Sequence, residues 1–107
     1  MVKDYRLEIT VNAVHVRLPI YRVWLDEELM CERTFWPNPE RHFIIETMIV
    51  ELEDGGRSKL RFELVDPTLG KAWMERVVIT DVEREQMVQD HGIGRMKGNE
   101  QELFIST

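Results

Sequence analysis

The stretch from Phe43 to Val65 constrains the fold more than any other part of the chain. It reads Phe43-Ile44-Ile45-Glu46-Thr47-Met48-Ile49-Val50-Glu51-Leu52-Glu53, then Asp54-Gly55-Gly56-Arg57-Ser58, then Lys59-Leu60-Arg61-Phe62-Glu63-Leu64-Val65. Two apolar runs around a glycine-bearing turn predict a β-hairpin. In the second run Leu60, Phe62 and Leu64 alternate with Lys59, Arg61 and Glu63, so one face is buried and the other wet. In the first run Phe43, Ile45 and Ile49 share a face, with Thr47 between them. An even loop sets that face beside Leu60, Phe62 and Leu64; an odd loop throws one set into solvent. A two-residue loop, Asp54-Gly55, and a four-residue loop, Asp54 to Arg57, both satisfy the parity. The shorter one opposes Glu46 to Glu63, a like-charge pair that costs up to about 1 kcal/mol, which favours the longer. The other face, Ile44, Met48, Val50 and Leu52, is too apolar to be fully solvated. It needs cover, from the returning tail or from another subunit.

The flanking segments also read as strands. Tyr5, Leu7, Ile9 and Val11 alternate with Arg6, Glu8, Thr10 and Asn12, and Val14 and Val16 continue the pattern after a kink until Leu18-Pro19. A second hairpin is expected from Ile20 to Trp36 around Asp26-Glu27-Glu28. A three-residue loop pairs Val23 with Cys31 and Leu25 with Leu29 on the core side, and Arg22 with Glu32 and Trp24 with Met30 outside. The weakness is Glu28, which stands where such a loop wants Gly or Asn. Pro37-Asn38-Pro39-Glu40 and Asp66 to Lys71 read as loops. A last long strand runs from Ala72 towards Val82, with Trp73, Val77 and Ile79 on one face and Trp73 at the core or its edge. From Glu83 the chain turns polar and glycine-punctuated, with a short helix over Glu83–Asp90, and it ends in the apolar anchor Leu103-Phe104-Ile105. The expected fold is all-β: a small antiparallel sandwich, jelly-roll-like, over residues 1–82, with a C-terminal arm over 83–107 packing on the same or a neighbouring subunit.

Composition bounds the function. A chain of 107 residues, 43% hydrophobic, makes one domain with a modest core. Lys and Arg number 14 against 20 Asp and Glu, a net charge of −6, and no basic stripe is present for phosphate contact. Nucleic acid is therefore not an expected partner. No apolar run approaches a membrane span, and the start carries no apolar signal region, so a soluble chain that is not conventionally exported is expected. The single cysteine, Cys31, rules out an intrachain disulfide and a cysteine zinc site, and reads as a small core residue.

Chemistry-bearing patterns are sparse. His15, His42 and His91 have no metal-ligand neighbours at a familiar spacing, and neither a phosphate loop nor a nucleophile elbow occurs. Glu46 and Glu63 read as solvent-side residues rather than a catalytic pair, and Asp26, Asp54, Asp66 and Asp81 as turn residues. No enzyme, cofactor or metal is expected. What remains is surface. Arg22, Trp24, Met30 and Trp36 have the mixture found in interaction hot spots, and exposed tryptophans also suit sugar stacking. Their bland alternative is burial under a loop or the arm. Leu103, Phe104 and Ile105 could add a strand to a sheet edge, the chain's own or a neighbour's.

The run Tyr21-Arg22-Val23-Trp24-Leu25-Asp26, followed after two acidic residues by Leu29-Met30-Cys31-Glu32-Arg33-Thr34-Phe35, resembles a recurring hairpin of small proteins from tailed phages, marine ones especially. Lys59 to Val65 and Arg76-Val77-Val78-Ile79 resemble the closing strands of jelly-roll carbohydrate-binding modules. The resemblance spans roughly residues 5–82. It implies a compact sandwich in a virion protein or a glycan-binding module; the calcium loop of some such modules is not visible. The expectation is a non-enzymatic assembly module, a virion decoration or cement protein that docks on other virion proteins or on itself. It would reside in the virion, or in the cytoplasm if the resemblance fails. The alternative is a carbohydrate-binding module that uses its exposed tryptophans.

Overall fold

The computed structural model describes residues 1–15, 18–36, 42–68, 70–93 and 98–107. Eight strands follow in order: β1 (Val2–His15), β2 (Ile20–Leu25), β3 (Glu28–Thr34), β4 (Phe43–Glu53), β5 (Arg57–Leu64), β6 (Gly70–Asp81), β7 (Gln86–Gly92) and β8 (Glu100–Ser106). They form two antiparallel four-stranded sheets, β4-β1-β6-β7 and β3-β2-β5-β8. The expected small antiparallel sandwich is the fold. The Pro37–Glu40 loop and the continuation of β1 to Val16 lie outside the described residues.

β1 is the spine of the first sheet. Tyr5, Leu7, Ile9 and Val11 are all buried, and β1 pairs on one side with β4 and on the other with β6. The facing wall of the core comes from Tyr21, Val23 and Leu25 of β2, Leu60, Phe62 and Leu64 of β5, and Ile105 of β8. Tyr21 and Phe62 stack with ring centroids 5.0 Å apart. Burial on this scale is what a short chain has to offset its backbone ordering.

The Phe43–Val65 hairpin does not form. β4 pairs with β1 in one sheet, and β5 pairs with β2 and β8 in the other. The turn Asp54-Gly55-Gly56 is therefore an arch between sheets. Its geometry explains the difference. A two-residue hairpin of the favoured type needs positive φ at both central residues, but here Gly55 is positive, at 80°, and Asp54 is not. Gly56 N–H donates to the Glu53 carbonyl at 2.9 Å, closing a turn that lets the strands diverge. A Cβ on Gly56 would lie 2.9 Å from the Glu53 Cβ, so the arch is built for glycine there as well.

Pairing with β1 reverses the faces of β4. Val50 and Leu52 are buried, Ile44 and Met48 pack against the core, and Ile45 and Ile49 are exposed. The cover demanded by Ile44, Met48, Val50 and Leu52 is the second sheet. Glu46 goes inward too, correcting its reading as a solvent-side residue.

The Ile20–Trp36 hairpin does form, but its loop has two residues. Asp26 and Glu27 both take positive φ, 49° and 65°. Trp24 then faces Leu29, and the register shifts by one so that Val23 faces Cys31 and Arg22 faces Glu32. Met30 is the extra residue, a bulge that converts an even loop into the odd parity expected for the body of the hairpin. A second bulge, at Glu75 in β6, places Ala72 and Met74 inside and turns Trp73 outward, although Val77 and Ile79 are core. Trp73 is half-buried on the outer side rather than a core residue.

Residues 83–107 supply β7 and β8, the outer strands of the two sheets. The helix expected over Glu83–Asp90 is instead a turn followed by β7. Alternating sheet faces, not a helical stripe, absorb Gln89 and His91 on the inner side of β7.

Candidate docking surfaces

The residues singled out in the sequence separate once folded. Arg22, Trp24 and Phe104 share the outer face of the second sheet, on β2 and β8 with β5 between them. Met30 turns to pack against the core, Leu103 packs beside it, and Ile105 is fully buried. Trp36 lies just past β3 and is 73% exposed. No single patch joins these seven side chains.

On that outer face each aromatic ring is already occupied. The Arg61 guanidinium lies 4.8 Å from the centre of the Trp24 ring, and the Trp24 indole N–H donates to Glu63 at 3.3 Å. The Arg57 guanidinium lies 4.1 Å over Phe104. Arg61 also donates to Glu100 at 2.9 Å and Glu27 at 3.2 Å, and Lys59 pairs with Glu27 at 2.7 Å. The Lys59 hydrogen bond holds the Glu27 carboxyl below the usual range. Arg22 contacts Glu32 at 3.4 Å and Glu63 at 3.6 Å, while its buried Nε has no hydrogen-bond partner among the described residues. Such a lattice solvates a sheet face while covering its aromatic rings.

The outer face of the first sheet is different along β4. Ile45 and Ile49 are 42% and 55% exposed, with Thr47 between them and half-buried Phe43 beyond. A shallow hollow of about 440 Å3 runs from Phe43 and Ile45 past Thr10 to the Arg76–Asp90 pair. That pair is bidentate, at 2.8 and 2.6 Å, and the guanidinium holds the Asp90 carboxyl below its usual range. Arg6 of β1 stands directly opposite Ile49, but its guanidinium pairs with Glu8 at 3.4 Å and Glu85 at 3.3 Å, and Ile49 stays 55% exposed. Ile45 and Ile49 would both be core residues only with β5 as a hairpin partner, and β4 pairs with β1 instead. The available signal was the larger apolar set on the opposite face of the same strand.

Among the described residues, β4 is also an open edge. Of the four edge strands, β3 carries the Met30 bulge and β7 carries a bulge at Val88. β8 keeps register but has seven residues and bears Glu100 and Glu102 on its outer face. β4 keeps register with β1 over its full eleven residues. Bulges and charges are the usual devices that blunt an edge, and β4 lacks them on its outer face between Phe43 and Ile49.

Behind that edge the sandwich is clasped shut. Glu46, 5% exposed, accepts hydrogen bonds from the Tyr21 hydroxyl of β2 at 2.5 Å and from Arg33 of β3. Burial first, then Glu46, pushes the Tyr21 phenol well above its usual value. Burial likewise pushes up the thiol of half-buried Cys31. The opposite corner is stitched by Gln101, whose amide accepts from Met74 N–H at 2.6 Å and donates to Met74 carbonyl at 3.1 Å. Both clasps are structural pairings of buried polar groups.

A cleft of about 480 Å3 opens at one end of the sandwich between Val14, Leu64, Pro67, Lys71, Trp73 and Asn99. Among the described residues, no three His, Cys, Asp or Glu side chains converge as a metal site, and no helix is long and apolar enough to cross a membrane. The loop aspartates serve turns: Asp26 accepts from Lys59 N–H, Asp66 from Thr68, and Asp81 from Arg84 N–H. No family model matches the chain, and no curated protein and no solved structure matches it either.

Proposed function

We propose that this chain is a non-enzymatic structural module that works by protein–protein docking, as a decoration or cement component of a phage particle. The observation that carries the docking part is β4: an unbulged edge strand, open among the described residues, whose outer face exposes Ile45 and Ile49. Exposed β-branched side chains beside unpaired backbone groups are a binding surface for another strand. The assignment to a virion rests on the strand pattern of Tyr21 to Phe35 alone. Its partners are other virion or assembly proteins, and the acidic surface argues against nucleic acid.

A photo-reactive side chain at position 49, irradiated in the native particle or extract, tests this. The expected product joins position 49 to a structural protein of a repeating assembly. Cross-links formed only from a control position beside Trp24 would contradict the assignment to β4, and cross-links to metabolic enzymes would contradict the assembly role.

A second reading, glycan binding, is favoured by two observations: Trp36 is largely exposed, and Trp73 lines the end cleft with Lys71 and Asn99. Trp24 is a poorer platform because Arg61 occupies its ring. Tryptophan emission that shifts with polysaccharide and loses the shift in Trp36→Ala or Trp73→Ala would support it. An unchanged spectrum across a broad glycan panel discards it.

A further inference from the structure

The direction of each backbone group along β4 follows from two hydrogen bonds. Val82 N–H donates to the Asp4 carbonyl, so Asp4 and the even residues of β1 point to β6. Asp54 N–H donates to the Met1 carbonyl, so the odd residues of β1 and the even residues of β4 point to each other. By the two-residue alternation of an antiparallel ladder, the N–H and C=O groups of Ile45, Thr47, Ile49 and Glu51 point away from β1, to the open edge. These are also the residues whose side chains stand on the outer face.

Any strand added there meets that set, and the set is self-complementary. An antiparallel copy of β4 related by a two-fold axis at Thr47 places Thr47 opposite Thr47 and Ile45 opposite Ile49 on both sides of the axis. Each facing pair consists of outward-pointing residues, so each exchanges both of its backbone hydrogen bonds. Glu51 falls opposite Phe43, and no acidic residue faces another. Sliding the axis to Ile49 sets Thr47 against Glu51 and Ile45 against Glu53, and sliding it to Met48 sets Ile45 against Glu51. The Thr47 register alone covers both exposed isoleucines with isoleucine, the cross-strand pairing that sheets favour.

We infer that a second copy of this chain is the occupant of the β4 edge, paired antiparallel about Thr47, so that two four-stranded sheets become one continuous eight-stranded sheet. The inference rests on the docking reading and names its partner. Each copy carries a net charge of −6, so pairing works against mutual repulsion, and added salt strengthens it by screening.

Sedimentation equilibrium over a wide concentration range tests it. The average mass should rise from 12.8 kDa towards twice that value, more readily at high salt. Thr47→Pro removes an N–H that the monomer fold does not use, and should weaken pairing by about tenfold or more while leaving circular dichroism unchanged. Ile49→Lys offers a second variant should the proline disturb β4. In a Cys31→Ser background, Thr47→Cys should cross-link readily to itself, because position 47 faces position 47. Ile49→Cys should not, because it faces position 45. A wild-type chain that stays at 12.8 kDa at millimolar concentration, or equal cross-linking at 47 and 49, would overturn the second-copy assignment. Photo-cross-linking from position 49 to a different structural protein would do so as well, while leaving the docking reading standing.

Discussion

The outer faces of the two sheets treat their apolar side chains in opposite ways. On the second sheet, Trp24 and Phe104 each lie under a guanidinium, and Arg61, Lys59 and Glu27 tie three neighbouring strands together. On the first sheet, along β4, Ile45 and Ile49 stand exposed beside backbone that no described strand pairs. Both faces carry ion pairs, but on the first sheet Arg6 and Arg76 are engaged by Glu8, Glu85 and Asp90, and Ile45 and Ile49 keep 42% and 55% of their surface exposed. Aromatic content alone therefore points to the finished surface, whereas the unfinished one exposes isoleucine, with only half-buried Phe43 as an aromatic.

The largest effect expected from this contrast lies within β4 itself. Leu52→Ala on the inner face should cost about 3 kcal/mol in urea unfolding. Ile49→Ala on the outer face should cost under about 1 kcal/mol. A hairpin register would reverse the order, so this pair of variants separates the two accounts. Next comes the clasp behind the edge. Glu46→Ala leaves the buried Tyr21 hydroxyl without its acceptor and strips Arg33 of its partner, and should cost about 2 kcal/mol, reduced from a fully buried pair because Arg33 is half-exposed.

Smaller effects distinguish the lattice. Arg61→Ala should lower stability by under about 1 kcal/mol and shift Trp24 emission to the red as its ring gains water. Acid acts in the same place. The folded pKa of Glu27 is depressed, so its contribution is present above the ordinary carboxylate value and is lost as pH falls through the depressed one. The emission shift in wild type should therefore appear on acidification below the usual carboxylate range. Between Ile45 and Ile49 the outer strip of β4 has no ionisable side chain, so the exchange of its outward amides should show no titration there beyond the intrinsic pH dependence.

Much of this was legible in residues. The alternation of Tyr5 to Val11 gave β1 its buried face, and Arg22 opposite Glu32 gave β3 its register. Local turn chemistry misled. Asp54-Gly55 carries the usual hairpin signal yet makes an arch, while Asp26-Glu27, with no glycine, takes positive φ at both positions and makes the hairpin. Tertiary pairing decides both, because β1 outcompetes β5 for β4. Bulges at Met30 and Glu75 were invisible because each merely shifts an alternating pattern by one residue. Ile45 and Ile49 were readable as apolar, but which face of a two-sided strand is bare depends on its partner.

Amide hydrogen exchange along β4 tests the central claim most directly. In dilute protein the outward amides of Ile45, Thr47 and Ile49 should exchange fast, while those of Glu46, Met48 and Val50, bonded to β1, stay protected. In concentrated protein the outward set should become protected in turn. Equal protection of both sets at every dilution would contradict an open edge, and an outward set that exchanges fast at every concentration would contradict its use for pairing.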